Sequence, residues 1–139
     1  MMKNILLISA LTILFSACSN LGERIDFEGD EVYYKAPITE VQAKQVGQFL
    51  KDYQYFTGNG FTVQVVKGEN MTVNFATVDG IENDEEVIVG YYFLLVDMSN
   101  AVLDGNPIDI ALCDDKLQVK KLLTFADAKA FLDKAVLSQ

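Results

Sequence analysis

Residues 61–75, Phe61-Thr62-Val63-Gln64-Val65-Val66-Lys67-Gly68-Glu69-Asn70-Met71-Thr72-Val73-Asn74-Phe75, decide the fold. Phe61, Val63 and Val65 alternate with Thr62 and Gln64, and Met71, Val73 and Phe75 alternate with Thr72 and Asn74. A strand repeats its side-chain direction every second residue, so each run places its apolar members on one face. Lys67-Gly68-Glu69-Asn70 between them is turn chemistry, which makes the pair an antiparallel hairpin. Phe61, Val63, Val65, Met71, Val73 and Phe75 are expected inward; Thr62, Gln64, Thr72 and Asn74 are expected on a solvated outer face.

Upstream, Glu31 to Ala36 reads as a strand ended by Pro37, which has no backbone donor. Thr39 and Gln42 have capping-box spacing, and Val46, Phe49, Leu50 and Tyr53 follow at helical intervals. Downstream, Asn83 to Leu103 is apolar enough for a buried strand or helix, and its length favours helix. Asn83 and Glu86 supply a cap, Asp84 to Glu86 suit the positive end of a helix dipole, and Asp104-Gly105 with Pro107 supplies a stop. Ile108, Ile110 and Leu112 then alternate with polar or small residues, Asp114-Asp115-Lys116 turns the chain, and Leu117 and Val119 begin a return strand. Thr124 and Asp127 can cap a last helix carrying Phe125, Ala128, Phe131 and Leu132 on one face. The order β-α-β-β-α-β-β-α predicts an α+β domain, an antiparallel sheet packed by helices on one face. Its first six elements fit a ferredoxin-like or related split βαβ pattern.

At the N-terminus, Lys3 precedes an apolar run from Ile5 to Phe15, and Phe15-Ser16-Ala17-Cys18 closes it. The run is shorter than the roughly twenty residues a membrane span requires. With small residues before a cysteine it resembles the signal of a bacterial lipoprotein, although Phe15 stands where that signal prefers an aliphatic residue. The resemblance implies lipid attachment at Cys18, palmitate among the acyl chains, and anchoring to a membrane of the cell envelope on its non-cytoplasmic side. It divides the chain into a signal peptide, 1–17, a lipidated cysteine and charged tether, 18–30, and one α+β domain, 31–139.

The full chain carries a formal charge of −9, and removal of residues 1–17, whose one charge is Lys3, takes it to about −10 (−9 − 1). Such a charge argues against nucleic acid as a partner; it serves solubility first and suits a basic protein partner second. With Cys18 modified, Cys113 has no disulfide partner and reads as a small buried hydrophobe. The absence of histidine excludes His-based triads and histidine metal sites, and no phosphate-cradling or dinucleotide glycine motif occurs. No cofactor or metal is expected, since the acids of loop 79–86 lack the spacing of a calcium loop. The adjacent acids Asp114-Asp115 and Glu85-Glu86 suit a turn and a helix start respectively, and no catalytic residue is assigned.

Val32-Tyr33-Tyr34, Thr39-Glu40, Ala43, Gly47, Phe49-Leu50 and Leu112-Cys113-Asp114-Asp115-Lys116 resemble a poorly characterised bacterial domain of envelope-associated proteins, over about residues 31–123. That domain brings no catalytic residues with it. Tyr33 and Tyr34 must point to opposite faces of a strand, so one of them is a candidate contact residue. The expectation is a membrane-anchored, non-catalytic envelope lipoprotein that binds another protein. A carboxylate-dependent hydrolase and a toxin-neutralising inhibitor lipoprotein are the alternatives.

Overall fold

The computed structural model describes residues 20–137; Cys18 and the signal segment 1–17 lie outside the described residues. The strands are β1 (Glu23–Phe27), β2 (Asp30–Tyr34), β3 (Thr62–Lys67), β4 (Met71–Ala76), β5 (Ile108–Cys113) and β6 (Val119–Leu123). The helices are α1 (Glu40–Asp52), α2 (Glu85–Leu103) and α3 (Phe125–Leu137), with a 3-10 turn at Ile81–Asn83. The six strands lie side by side in chain order. Each hairpin, β1–β2, β3–β4 and β5–β6, is antiparallel, while β2–β3 and β4–β5 are parallel. The chain is therefore an α+β domain built as three hairpins, each followed by a helix. The sheet is mixed, and the parallel partners are immediate neighbours with no strand inserted between them, unlike a split βαβ unit.

The segment expected to be a tether is instead the first strand. Ile25 pairs with Val32 and Phe27 with Asp30. Phe27 lies over α1, where a Cβ on Gly47 would stand 2.2 Å from its ring. That close approach explains a glycine in the buried face of α1. Arg24 pairs with Glu31 at 2.5 Å and Lys51 with Glu28 at 3.3 Å. Charged side chains are common on edge strands because they discourage pairing with another chain. The same charges make residues 23–28 read as a linker.

In the β3–β4 hairpin Val63 faces Phe75, Val65 faces Val73 and Lys67 faces Met71, the register expected from the alternation. Val32, Val63, Val65, Val73, Phe75, Ile110 and Leu112 form one apolar face, on which Val46 and Leu50 of α1, Leu94, Leu95 and Met98 of α2, and Ala128 of α3 pack. The 19-residue α2 is long and apolar enough to cross a membrane by composition alone. Its inward residues instead make it the central helix of the layer, touching both α1 and α3. β2→β3 and β4→β5 step the same way along the sheet with strands running in opposite directions. Because both crossover helices cover the same face, the two crossovers have opposite hands, and one is of the rare left-handed kind.

The other face carries Tyr33, Thr62, Gln64, Thr72, Asn74, Asp109 and Ala111, and no helix of the described residues covers it. It is not solvated as expected: Gln64, Thr72 and Asn74 are buried. Each has a partner: Asn74 Nδ2 donates to Gln64 Oε1 at 3.1 Å, Gln64 Nε2 to the Leu21 carbonyl at 3.1 Å and Thr72 to the Asn70 carbonyl.

Caps follow the sequence at α1, where Thr39 and Gln42 exchange both bonds of the capping box, and at α3, where Thr124 accepts from the Asp127 N–H. At α2 the cap moves by one: Asp84, not Asn83, accepts from the N–H groups of Glu86 and Val87. Asp30, 1% exposed, fixes the chain between α1 and β3. Its carboxylate accepts from the backbone N–H groups of Gly58 at 2.7 Å, Gly60 at 3.1 Å and Phe61 at 2.8 Å. Replacing Asp30 by Ala leaves three donors without partners. The expected cost is about 3 kcal/mol or more, read as a lower midpoint in chemical denaturation. A chain starting at Asn20 is likewise expected to outlast one starting at Glu31 in the same measurement, because the latter bares Gly47 and the β2 edge.

Candidate functional site

The loop that Asp30 holds carries the aromatics of one wall of a surface groove. Gln54 takes a left-handed conformation at φ 66°, and the Tyr55 and Phe56 N–H groups both donate to the Leu50 carbonyl, so the chain doubles back under the end of α1. Tyr55 then packs edge-on against Phe75 and beside Tyr91 and Phe61. The Tyr55 and Tyr91 hydroxyls share a hydrogen bond of 3.0 Å, and burial pushes both phenols above their ordinary range. Neither supplies an acid or a base near neutral pH.

Between Tyr53 and Tyr55 on one side and Val87, Tyr91 and Leu94 on the other lies a groove of about 210 Å³ with Gly90 in its lining. Across α2 a second groove, of about 680 Å³, is lined by Glu85, Glu86, Val89, Tyr92, Lys121 and Phe131. The outward stripe of α2 separates them: Glu86, Gly90, Phe93, Asp97 and Asn100, spaced by four and three residues and all exposed. Phe93 leaves 51% of its surface in solvent. A Cβ at Gly90 would meet nothing within 4 Å, so no packing inside the domain calls for glycine there. Its presence in mid-helix nevertheless costs about 1 kcal/mol relative to Ala.

The charge of α2 is one-sided. From Asp84 to Asp104 the chain carries Asp84, Glu85, Glu86, Asp97 and Asp104 and no Lys or Arg. Acids at the start favour the helix dipole, whereas Asp97 and Asp104 sit toward its negative end and oppose it. Tyr53 donates to Asp97 at 3.2 Å. Asp97 thus stands beside the Gly90 groove through Tyr53, while Glu85, Glu86 and Lys121 line the groove across α2.

The sequence candidates fall elsewhere. Tyr33 lies on the helix-free face, half-buried, its hydroxyl donating to Glu31 at 3.2 Å. Tyr34 lies on the helix face, half-buried against the core. The two do point to opposite faces, and neither is fully exposed. Asp114 builds the β5–β6 turn, accepting from the Lys116 and Gln118 N–H groups at 2.9 Å each. Glu85 and Glu86 occupy the first turn of α2. In the acidic loop 79–86, Lys120 stands 3.1 Å from Glu82 and 3.9 Å from Asp79. Glu82 is held below the usual carboxylate range by backbone N–H groups and by Lys120. Among the described residues no group of three acids or cysteines could hold a metal. Cys113 is buried, and burial together with Asp114 pushes its thiol up to about 11. Cys18, the expected lipid attachment, is outside the described residues.

A family model described as AF_1994_N, family N-terminal domain, matches residues 24–124. The chain belongs to that family. The AF_1994_N match takes in nearly all of β1, in keeping with a domain that begins before Glu31, and ends at Thr124, the cap of α3. Comparison with curated proteins and with solved structures gives no match.

Two outcomes follow from the geometry. Gly90→Ala is expected to raise stability by about 0.5–1 kcal/mol, measured by denaturant titration, because the methyl enters open space on a helix. Cys113 is expected to resist a thiol reagent at pH 8 and react only on unfolding. Its raised value favours the folded, protonated form below about pH 9. That contribution fades as pH climbs toward 11, so alkaline titration should lower the melting temperature.

Proposed function

We propose that this member of the AF_1994_N family is a lipid-anchored envelope protein that acts by binding another protein, a basic one, across its helix layer. The observation that carries the reading is the α2 stripe: exposed Gly90 and Phe93 beside two apolar grooves, with Glu86 and Asp97 on the same stripe. Exposed aromatics beside a small-residue hollow let a partner's side chain seat closely. The acids of the stripe steer a positively charged surface to it. Uncompensated Asp97 and Asp104 at the helix's negative end and a mid-helix glycine all lower the stability of α2, which is economical only where the surface is used. The anchor is supported by Lys3, the apolar run and Phe15-Ser16-Ala17-Cys18. Catalysis has less support, since Asp114 is occupied by its own turn and Glu85 and Glu86 sit at a helix start.

A photo-crosslinking residue placed at Phe93 of the full-length protein, in intact cells, is expected to capture a basic envelope protein. Gly90→Gln in that background should cut the yield about tenfold, and Glu86→Lys with Asp97→Lys should do the same. Asp114→Asn should leave it unchanged. Turnover of a glycoside or ester by the purified domain, lost on Asp114→Asn, would replace the binding reading with a hydrolytic one. Cys18→Ser is expected to abolish incorporation of a fatty-acid analogue.

A further inference from the structure

The groove beside Gly90 has the size of one side chain. At about 210 Å³ it falls below the roughly 300–1,000 Å³ of sites that enclose a small molecule. Three of the six residues that line it are tyrosines, Tyr53, Tyr55 and Tyr91, and Val87 and Leu94 add aliphatic wall. Each ring is already held. Tyr53 stacks on Phe49 at 5.3 Å and donates to Asp97 at 3.2 Å, while Tyr55 and Tyr91 bond to each other through their hydroxyls and both pack on Phe75. A partner seated here freezes few further rotamers of this chain, which removes one of the usual costs of association. Any side chain larger than hydrogen at position 90 would narrow the groove, where a Cβ now meets nothing within 4 Å.

Charge decides what kind of side chain fits. Asp97 is exposed one turn beyond Leu94, and burial, then the Asp97 carboxylate, push the Tyr53 phenol up. Among the described residues no lysine or arginine pairs with Asp97. Glu86 stands one turn before Gly90 on the same stripe, and no cation occurs from Asp84 to Asp104. An acidic side chain would be repelled by both carboxylates. An apolar one would strip water from Asp97 and return no hydrogen bond to it. A lysine or arginine meets both demands. Its aliphatic stem suits Val87 and Leu94, and its charged head suits phenol rings, whose faces attract a cation within about 6 Å, with Asp97 beside them as counter-ion.

We infer that the tyrosine hollow beside Gly90 is the seat of one basic side chain, a lysine or arginine, of the protein partner. The inference rests on the protein-binding reading and names what enters its site. The probe is n-butylguanidinium, with its neutral isostere n-butylurea as control, titrated into the full-length protein in detergent micelles and followed by nuclear magnetic resonance at the Val87, Gly90 and Leu94 amides. Butylguanidinium is expected to bind about fivefold more tightly than butylurea. Asp97→Asn and Tyr53→Leu should each weaken it about threefold, and Gly90→Gln should abolish the response. Unchanged Ile110 and Leu112 amides in the sheet show that each variant is folded. The Phe93 crosslink in cells is measured in parallel and should fall with Tyr53→Leu. No response, an equal response to both compounds, or indifference to Asp97→Asn overturns the basic seat, and a Phe93 crosslink that persists then leaves the protein-binding reading in place. A crosslink unchanged by Tyr53→Leu also overturns the seat alone. Selective binding of butylguanidinium with no Phe93 crosslink to any protein assigns the hollow to a free organic cation, and overturns the partner's side chain together with the reading beneath it.

Discussion

The Asp30 carboxylate, sealed from solvent and accepting three backbone N–H groups, is the constraint on which the surface of this domain depends. A buried carboxyl group is costly unless its oxygens are hydrogen-bonded, and here the loop Gly58–Phe61 supplies three N–H donors. The bond is mutual: the loop gains a fixed shape, and the β1–β2 turn gains a lid. Gly29 makes the contact possible, since at φ 104° it comes so close that a Cβ would lie 2.9 Å from the Gly58 carbonyl oxygen. Once the loop is pinned, Phe61 packs on Tyr55, Tyr55 falls against Phe75 and Tyr91, and one wall of the α2 groove is in place. The surface hollow is thus built from the sheet upward.

How much of this was legible depends on whether the information was local. The hairpins β3–β4 and β5–β6, the Thr39 capping box and the helical state of Glu85–Leu103 were written in alternation, spacing and length. β1 was also written, in Ile25 and Phe27 two apart followed by Glu28-Gly29, but Glu23, Arg24 and Asp26 masked the alternation. The cap of α2 slipped by one because Asn83 and Asp84 are both competent caps, and only the preceding 3-10 turn decides between them. The burial of Gln64, Thr72 and Asn74 could not be read from strand alternation. Alternation assigns faces and says nothing of what a face meets. The candidate site was least legible of all. Tyr33 and Tyr34 drew attention as a pair, whereas the hollow depends on Gly90, whose significance appears only when its surroundings are seen to be empty.

The helix layer shows where stability has been forgone. α1 and α3 balance their acids with lysines, as in the Glu40–Lys44 pair at 3.1 Å. α2 does not, although it is the central helix and contributes Leu94, Leu95 and Met98 to the core. Packing supplies far more than propensity, so a mid-helix glycine and two unfavourable acids, each worth about 1 kcal/mol or less, are tolerated. Such departures from local optimality collect where surfaces are used, because selection for contact competes with selection for stability.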